Sequence, residues 1–162
     1  MLYNQGVECS HLMAAANTKE HVLTMTPPAQ RDDVAQYVQV LHSPIVDEKD
    51  RVDACHALGR VKTPAATEAL VYALKDDGFT VRWAAAEALA EHGRAAIEPL
   101  MHALIAADDR FLREGAHHVL ARLPGTATHN LVKPVLDALE GRSPAVRVPM
   151  AANAVLVQLA AP

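Results

Sequence analysis

The sequence predicts an all-α protein, built as a solenoid of antiparallel helical hairpins. A segment that begins with Arg and ends with Leu recurs every 31 residues, at 51–58, 82–89 and 113–120. A second apolar segment follows each of these, at 69–74, 99–104 and 134–139. Repeats of this size mark stacked units that bury their apolar faces only against their neighbours. Apolar residues make up 51% of the chain but aromatic residues only 4%, so small side chains fill the core, which favours helix-on-helix packing.

Prolines bound the first predicted helix. A double proline at 27–28 precedes it, because proline interrupts any helix that runs into it. Val34, Val38 and Leu41 then follow at the spacing of one apolar helix stripe. A proline at position 44 ends this helix, which is predicted to be a half-repeat.

Capping residues bound the later helices. Thr63 and Pro64 are typical of a helix start, and Gly59 and Gly93 of the residue that follows a helix end. We predict further helices at 48–58, from 64 to the turn at 76–78, and at 80–92, 95–106, 110–123, 129–140 and 145–159. Short turns between them are typical of antiparallel neighbours. The last helix carries Val-Arg like the first helix of a hairpin, so three hairpins and a final half-repeat are expected.

The opening segment differs from the rest of the chain. Residues 1–26 match no repeat and are predicted to be a tail or a capping segment before a repeat domain over 27–162, with Met25 as an alternative start. A secretory signal is not visible in this segment, and no stretch approaches the length of a membrane span. The two cysteines, Cys9 and Cys55, form no metal or redox motif, which favours a reduced cytoplasmic setting.

One stretch resembles a known repeat. Residues 77–89 read Asp-Gly-Phe-Thr-Val-Arg-Trp-Ala-Ala-Ala-Glu-Ala-Leu, which is similar to the short bacterial HEAT-like repeat that is also found in phycobilin lyases. The resemblance covers roughly residues 44–159. It implies a right-handed α-α superhelix whose second helices line the concave side. It does not imply one function, because such repeats serve scaffolds, lyases, hydroxylases and DNA-lesion enzymes.

A row of arginines recurs at the start of the first helices, and it allows a structural and a functional interpretation. The row consists of Arg51, Arg82, Arg113 and Arg147. As an anion track it would serve recognition, whereas bidentate bonds to turn aspartates would join consecutive repeats. The resemblance implies the second role, with Asp77 and Asp108 as the acceptors five residues before Arg82 and Arg113. We therefore expect a structural row.

The histidines suggest a metal site at first sight, but their spacing disfavours one. His117 and His118 are adjacent and point about 100° apart on a helix, so both cannot easily bind one ion. Equivalent positions on neighbouring repeats lie about 10 Å apart, too far for shared coordination. The iron hydroxylases of this fold use repeated His-Glu pairs, and here only Glu91-His92 comes close, in reversed order. We predict no metal and no cofactor.

Charge argues against a nucleic-acid partner. The net charge of −4 gives no general attraction to phosphate backbones. The DNA-lesion enzymes of this fold need a basic concave surface, whereas the second helices here carry mixed residues. A protein partner is the expectation that remains.

The second helices supply the predicted partner surface. One row is apolar and the next outward row is polar, the combination that a protein-binding groove needs. The residues are Val71, Met101 and Leu136 in the apolar row and Tyr72, His102 and Asp137 in the polar row. Alternatively, the apolar row packs between repeats. Trp83 is ambiguous in the same way, as a packed gap-filler or an exposed contact.

These observations predict a non-catalytic binding module or assembly scaffold, since no nucleophile, base and metal converge. The alternative, which depends on the resemblance alone, is an enzyme or chaperone-like lyase acting on a tetrapyrrole. The C-terminal helix is apolar around much of its circumference, and solenoid ends need a covering surface. We therefore expect a homodimer through this helix, or docking of the N-terminal segment against it.

Overall fold

The structure is a computed structural model that describes residues 31–43 and 45–161. Over these residues the chain is helical and contains no strand, which confirms the all-α prediction. The helices are α1 (Arg31–His42), α2 (Glu48–Arg60), α3 (Pro64–Ala73), α4 (Phe79–His92), α5 (Ile97–Ala106), α6 (Arg110–Arg122), α7 (Thr126–Glu140) and α8 (Pro144–Ala160), with a 3₁₀ turn (Gly93–Ala96) before α5. The predicted tail or capping segment, 1–26, lies outside the described residues.

The helices form two layers with the core between them. α2, α4 and α6 stack side by side in one layer, and α1, α3 and α5 stack in the other. Across the layers α2 packs against α1 and α3, α4 packs against α3, and α6 packs against α5, so the repeats bury their apolar faces against one another. The largest fully buried side chains are mostly leucines, including Leu58, Leu89 and Leu120 of the recurring segment. Within the described residues no helix is long and apolar enough to cross a bilayer.

The local start signals predicted from the sequence act as expected. Thr63 caps α3, because its hydroxyl oxygen accepts a hydrogen bond from the backbone N–H of Ala66 at 3.3 Å, and Pro64 is the first helical residue. Gly93 follows α4 with a positive φ of 65°, a conformation that favours glycine.

Gly59 has a different role from the one predicted. It lies inside α2, which continues to Arg60, and is not the residue after the helix end. A Cβ at this position would stand 2.9 Å from the Cβ of Ala88 on α4. Gly59 therefore allows α2 and α4 to approach closely, which an alanine would prevent without a shift of the two helices.

The C-terminal helix departs from the predicted repeat order. We expected α8 to stack on α6 as another first helix, but it packs mainly against α5 and α7. Val148, Ala152 and Val155 of α8 are buried, and this packing covers α5 where a further second helix was expected. The physical reason is that an apolar stripe packs against whichever exposed apolar face it can reach through the preceding turn.

The opposite side of α8 stays exposed. Val146, Met150 and Val157 are 63%, 70% and 64% accessible. Scattered exposed apolar side chains are normal, but three on one face of a helix form a surface that a second copy of the chain can cover. The homodimer therefore stays a prediction. Light scattering over a concentration series tests it. The alternative occupant, the N-terminal segment, falls outside the described residues.

Candidate binding surfaces

The structure separates the six residues predicted to contact a partner. Tyr72, His102 and Asp137 of the polar row are exposed, as expected. The apolar row is instead part of the core: Val71, Met101 and Leu136 are only 6%, 0% and 8% accessible. The buried face of a helix covers a wide arc, so residues one step beyond the central leucines still pack between repeats. Of the six residues of the predicted partner surface, only the three of the polar row are therefore accessible.

The polar row does not form one continuous surface. Tyr72 lies on α3 beside His42 of α1, with the two rings 4.3 Å apart, and Lys75 stands over its ring. Asp137 lies on α7, where Lys133 donates hydrogen bonds to both of its carboxylate oxygens at 2.8 Å. Because α8 occupies the place beside α5, Asp137 is not on the helix next to His102. The predicted contiguous row is wrong in this respect.

His102 belongs to a groove between α3 and α5, which we call the second-helix groove. The groove has a volume of about 780 Å³. Pro64, Val71 and Pro99 contribute apolar surface to its walls, and Thr67 lies deeper. Its charged and polar rim consists of Lys62, Glu68, Glu98 and His102. An apolar centre with a polar rim is the usual anatomy of a protein-binding surface.

A buried histidine supports one wall of this groove. His92, at the end of α4, is 6% accessible, with Nδ1 2.9 Å from the hydroxyl oxygen of Thr67 and Nε2 3.2 Å from the carbonyl oxygen of Leu58. A carbonyl only accepts, so Nε2 carries the proton, and in the neutral ring Nδ1 accepts from Thr67. The Thr67 hydroxyl has one proton, which the carbonyl oxygen of Thr63 at 3.0 Å and Nδ1 of His92 at 2.9 Å share as acceptors. His92 thus joins the ends of α2 and α4 to α3.

Burial lowers the pKa of His92 below its ordinary value, against a smaller raising effect of its backbone hydrogen bond, and burial likewise lowers the pKa of His118. The unfolded chain therefore binds more protons than the folded chain once the pH falls to about 6.5. We expect the free energy of unfolding to hold at neutral pH and to fall below that point, with buried His92 contributing at most about 1.4 kcal/mol per pH unit. Urea unfolding from pH 8 to 5 measures this, and His92→Gln is expected to flatten the slope. A profile without a decline would contradict it.

Arg51 forms a bidentate ion pair that joins two repeats. Its Nε and Nη2 donate to the two carboxylate oxygens of Asp76 at 2.9 and 3.0 Å, and its Nη1 donates to the carbonyl of Val46. Asp76 also accepts from the backbone N–H of Gly78 at 2.7 Å. Both side chains of the pair are mostly buried, at 14% and 11% accessible. The carboxylate of this turn that joins two repeats is therefore Asp76, which pairs with Arg51, whereas the prediction was Asp77 as the acceptor of Arg82.

The other arginines of the row behave differently from one another. Arg82 donates through Nη1 to the backbone carbonyls of Asp76 and Asp77, at 2.7 and 2.9 Å, rather than to a carboxylate. Arg113 pairs with Asp108, as predicted for that residue, but the two flank the start of one helix. Arg147 lies against Gly141, at the turn before α8. The row is therefore not one repeated bond.

The free cysteine of the described residues and the adjacent histidine pair make contacts between helices. Cys55 is fully buried beneath the carbonyl of Val81, and burial raises the pKa of its thiol to about 12. His117 bonds to Glu140 of α7 at 2.8 Å, while His118 packs against Trp83 of α4. Within residues 31–43 and 45–161, no three histidine, cysteine or acidic side chains lie close enough to hold a metal ion.

Sequence reasoning missed a second groove, between α4 and α6, which we call the aromatic groove. Phe79, Trp83 and Phe111 line it with Arg82, and they are 67%, 47% and 36% accessible. The Phe79 and Trp83 rings stack with centroids 6.4 Å apart, and the Trp83 and His118 rings are 4.5 Å apart. Its volume is about 300 Å³. One signal was available: both phenylalanines and the only tryptophan of an aromatic-poor chain fall between positions 79 and 111.

Comparison with known proteins identifies the repeats. A family model for HEAT repeats matches residues 36–121, which include α2 to α5, most of α1 and most of α6. No curated protein matches the chain at a significant level. The match covers both grooves but names no ligand for either of them.

Proposed function

The chain belongs to the HEAT-repeat family, and from this premise we propose that it is a non-catalytic protein-binding module that takes its partner in the second-helix groove. The observation that carries the proposal is the groove itself, about 780 Å³ between the exposed sides of α3 and α5. Stacked repeats hold these two helices at a fixed distance, so the groove is formed before a partner arrives. A preformed surface lowers the entropic cost of binding.

The side chains of the groove favour a particular kind of partner. Its centre is apolar at Pro64, Val71 and Pro99, which suits a partner segment with apolar side chains. Its rim carries two carboxylates, Glu68 and Glu98, against one ammonium group. Basic side chains beside the apolar ones would complement this rim, and such complementarity governs specificity and association rate.

Charge reversal on the rim tests this proposal. Changing Glu68 and Glu98 together to Arg is expected to weaken capture of the partner from native lysate at least ten-fold, because basic partner groups then meet like charge. Both side chains are exposed, so helicity and melting temperature are expected to stay unchanged.

The matched control is Asp53→Arg, which reverses an exposed carboxylate of α2, in the other layer. This variant is expected to capture the partner as the unchanged chain does. Equal loss of capture by the Asp53→Arg control and by the double variant would show a general effect of charge. Undiminished capture by the double variant would place the binding site elsewhere.

The family resemblance also allows the alternative of a tetrapyrrole lyase. The test is direct: purified protein mixed with a bilin and an acceptor protein either yields a covalent adduct or does not. If the adduct forms faster with the protein than without it, the protein is an enzyme and the proposal of a non-catalytic binding module is wrong.

A further inference from the structure

The aromatic groove contains a cation with unused hydrogen-bond donors. Arg82 uses Nη1 for the carbonyls of Asp76 and Asp77. A guanidinium carries five N–H groups, and within the described residues those on Nε and Nη2 have no acceptor. Its Cζ stands 3.9 Å from the centre of the Phe111 ring and 5.8 Å from that of Phe79. Two carbonyls and two rings therefore hold the guanidinium in place while part of it stays free to bind.

The other ions of this groove already have partners. Glu114 accepts from Arg110 at 2.8 Å, and His117 is paired with Glu140. Arg82 forms no ion pair with any residue in the described ranges. The groove thus presents one unneutralised positive charge among aromatic rings, although the chain as a whole carries −4.

Aromatic rings and arginine together are the residue types that dominate binding energy at protein interfaces. Phe79 and Trp83 expose large apolar faces, and Ala86 and Gly115 leave room between the two helices. A volume of about 300 Å³ suits one or two side chains rather than a folded domain. The Nε and Nη2 edge of a guanidinium matches the two oxygens of a carboxylate.

We propose that the aromatic groove binds a short peptide segment of a partner protein, in which a carboxylate side chain lies next to an aromatic or large aliphatic side chain. The carboxylate pairs with Nε and Nη2 of Arg82, and the apolar side chain packs against Trp83 and Phe79. This surface is on the α4–α6 layer, whereas the second-helix groove is on the α3–α5 layer. The module then joins two partners, one on each layer.

An array of synthetic octapeptides tests the proposal. Each peptide places Asp or Glu within three positions of Phe, Leu, Ile or Met, in either order, and each has a twin with Asn or Gln in place of the acid. Trp83 is the only tryptophan of the chain, so its fluorescence reports binding at the groove. We expect acidic members to bind at least ten-fold more tightly than their amide twins. If no acidic peptide binds better than its twin, the proposal is overturned.

Variants then locate the site. Arg82→Gln is expected to lower the affinity of the acidic peptides to that of their amide twins. Phe79→Ala is expected to weaken the binding of acidic peptides and twins alike at least five-fold, measured by calorimetry. Arg82 also donates to backbone carbonyls, so the Arg82→Gln protein could unfold. Phe79 is 67% exposed, so the Phe79→Ala protein is expected to stay folded and keeps the test valid. Unchanged binding in a folded Phe79→Ala protein would overturn the proposal.

Two controls separate this inference from its rivals. The Glu68→Arg and Glu98→Arg double variant is expected to bind the peptides normally, so failure of the second-helix groove and of this groove are distinguishable. The other occupant of an exposed aromatic face is a second copy of the chain. The groove would be a dimer contact, and the proposal wrong, if the Phe79→Ala variant no longer self-associates in light scattering but binds the peptides as tightly as the unchanged chain.

Discussion

Asp76→Ala is expected to lower the free energy of unfolding by on the order of 3 kcal/mol, since it leaves the guanidinium of Arg51 partly buried without its carboxylate. Asp76 holds three elements together: it accepts two bonds from α2 and one from the backbone N–H of Gly78, just before α4. The pair is 14% and 11% accessible, so water replaces these bonds poorly. Urea unfolding at neutral pH measures the loss.

Asp53→Ala is the matched control for this prediction. Asp53 accepts from Lys49 at 3.0 Å in an ion pair that is exposed on both sides. Exposed pairs contribute little to stability, so the unfolding midpoint is expected to stay where it is. If the Asp76 and Asp53 variants shift the midpoint equally, the bond between repeats has no structural importance.

Met101→Ala is expected to cost about 2 to 5 kcal/mol, the usual range for deleting a large buried side chain. Met101 has no accessible surface, although its sequence position beside the polar row predicts a partner contact. Its neighbour His102 is 66% accessible at the side chain. His102→Ala is therefore expected to leave the melting temperature unchanged. A Met101→Ala protein as stable as the unchanged chain would contradict the burial of Met101.

Helix positions were predictable because their signals are local. Thr63 and Pro64 begin α3 and Gly93 follows α4, since caps depend only on neighbouring backbone groups. The 31-residue period identified α2, α4 and α6 as the helices of one layer. Gly59 shows the limit, because a glycine serves equally as a helix stop or as a point of close approach, and only the position of Ala88 decides between them.

Contacts between distant elements were harder to predict. α8 carries the Val-Arg pair of a first helix, yet packs beside α5, because its place depends on the turn at Ser143, whose φ is 61°, and on the faces left uncovered. The pairing of Arg51 with Asp76 was not predicted either, because it joins residues 25 positions apart through the shape of the turn after α3.

The candidate surfaces were predictable only in outline. Sequence spacing indicates which residues share a helix face, but not how wide the buried arc is, so it left open whether the apolar row contacts a partner or packs between repeats. The aromatic groove depends on side chains of two helices meeting at one point. Phe79 and Phe111 do not occupy equivalent repeat positions, so the period gave no indication that they meet.

Hydrogen exchange of the chain, alone and bound to its captured partner, tests the central claim most directly. If the second-helix groove is the binding surface, slowed exchange is expected in 62–71 and 95–102, which line the groove, and little change in α2, in the other layer. Protection confined to α2, α7 or α8, with the groove exchanging as in the free chain, would contradict the account.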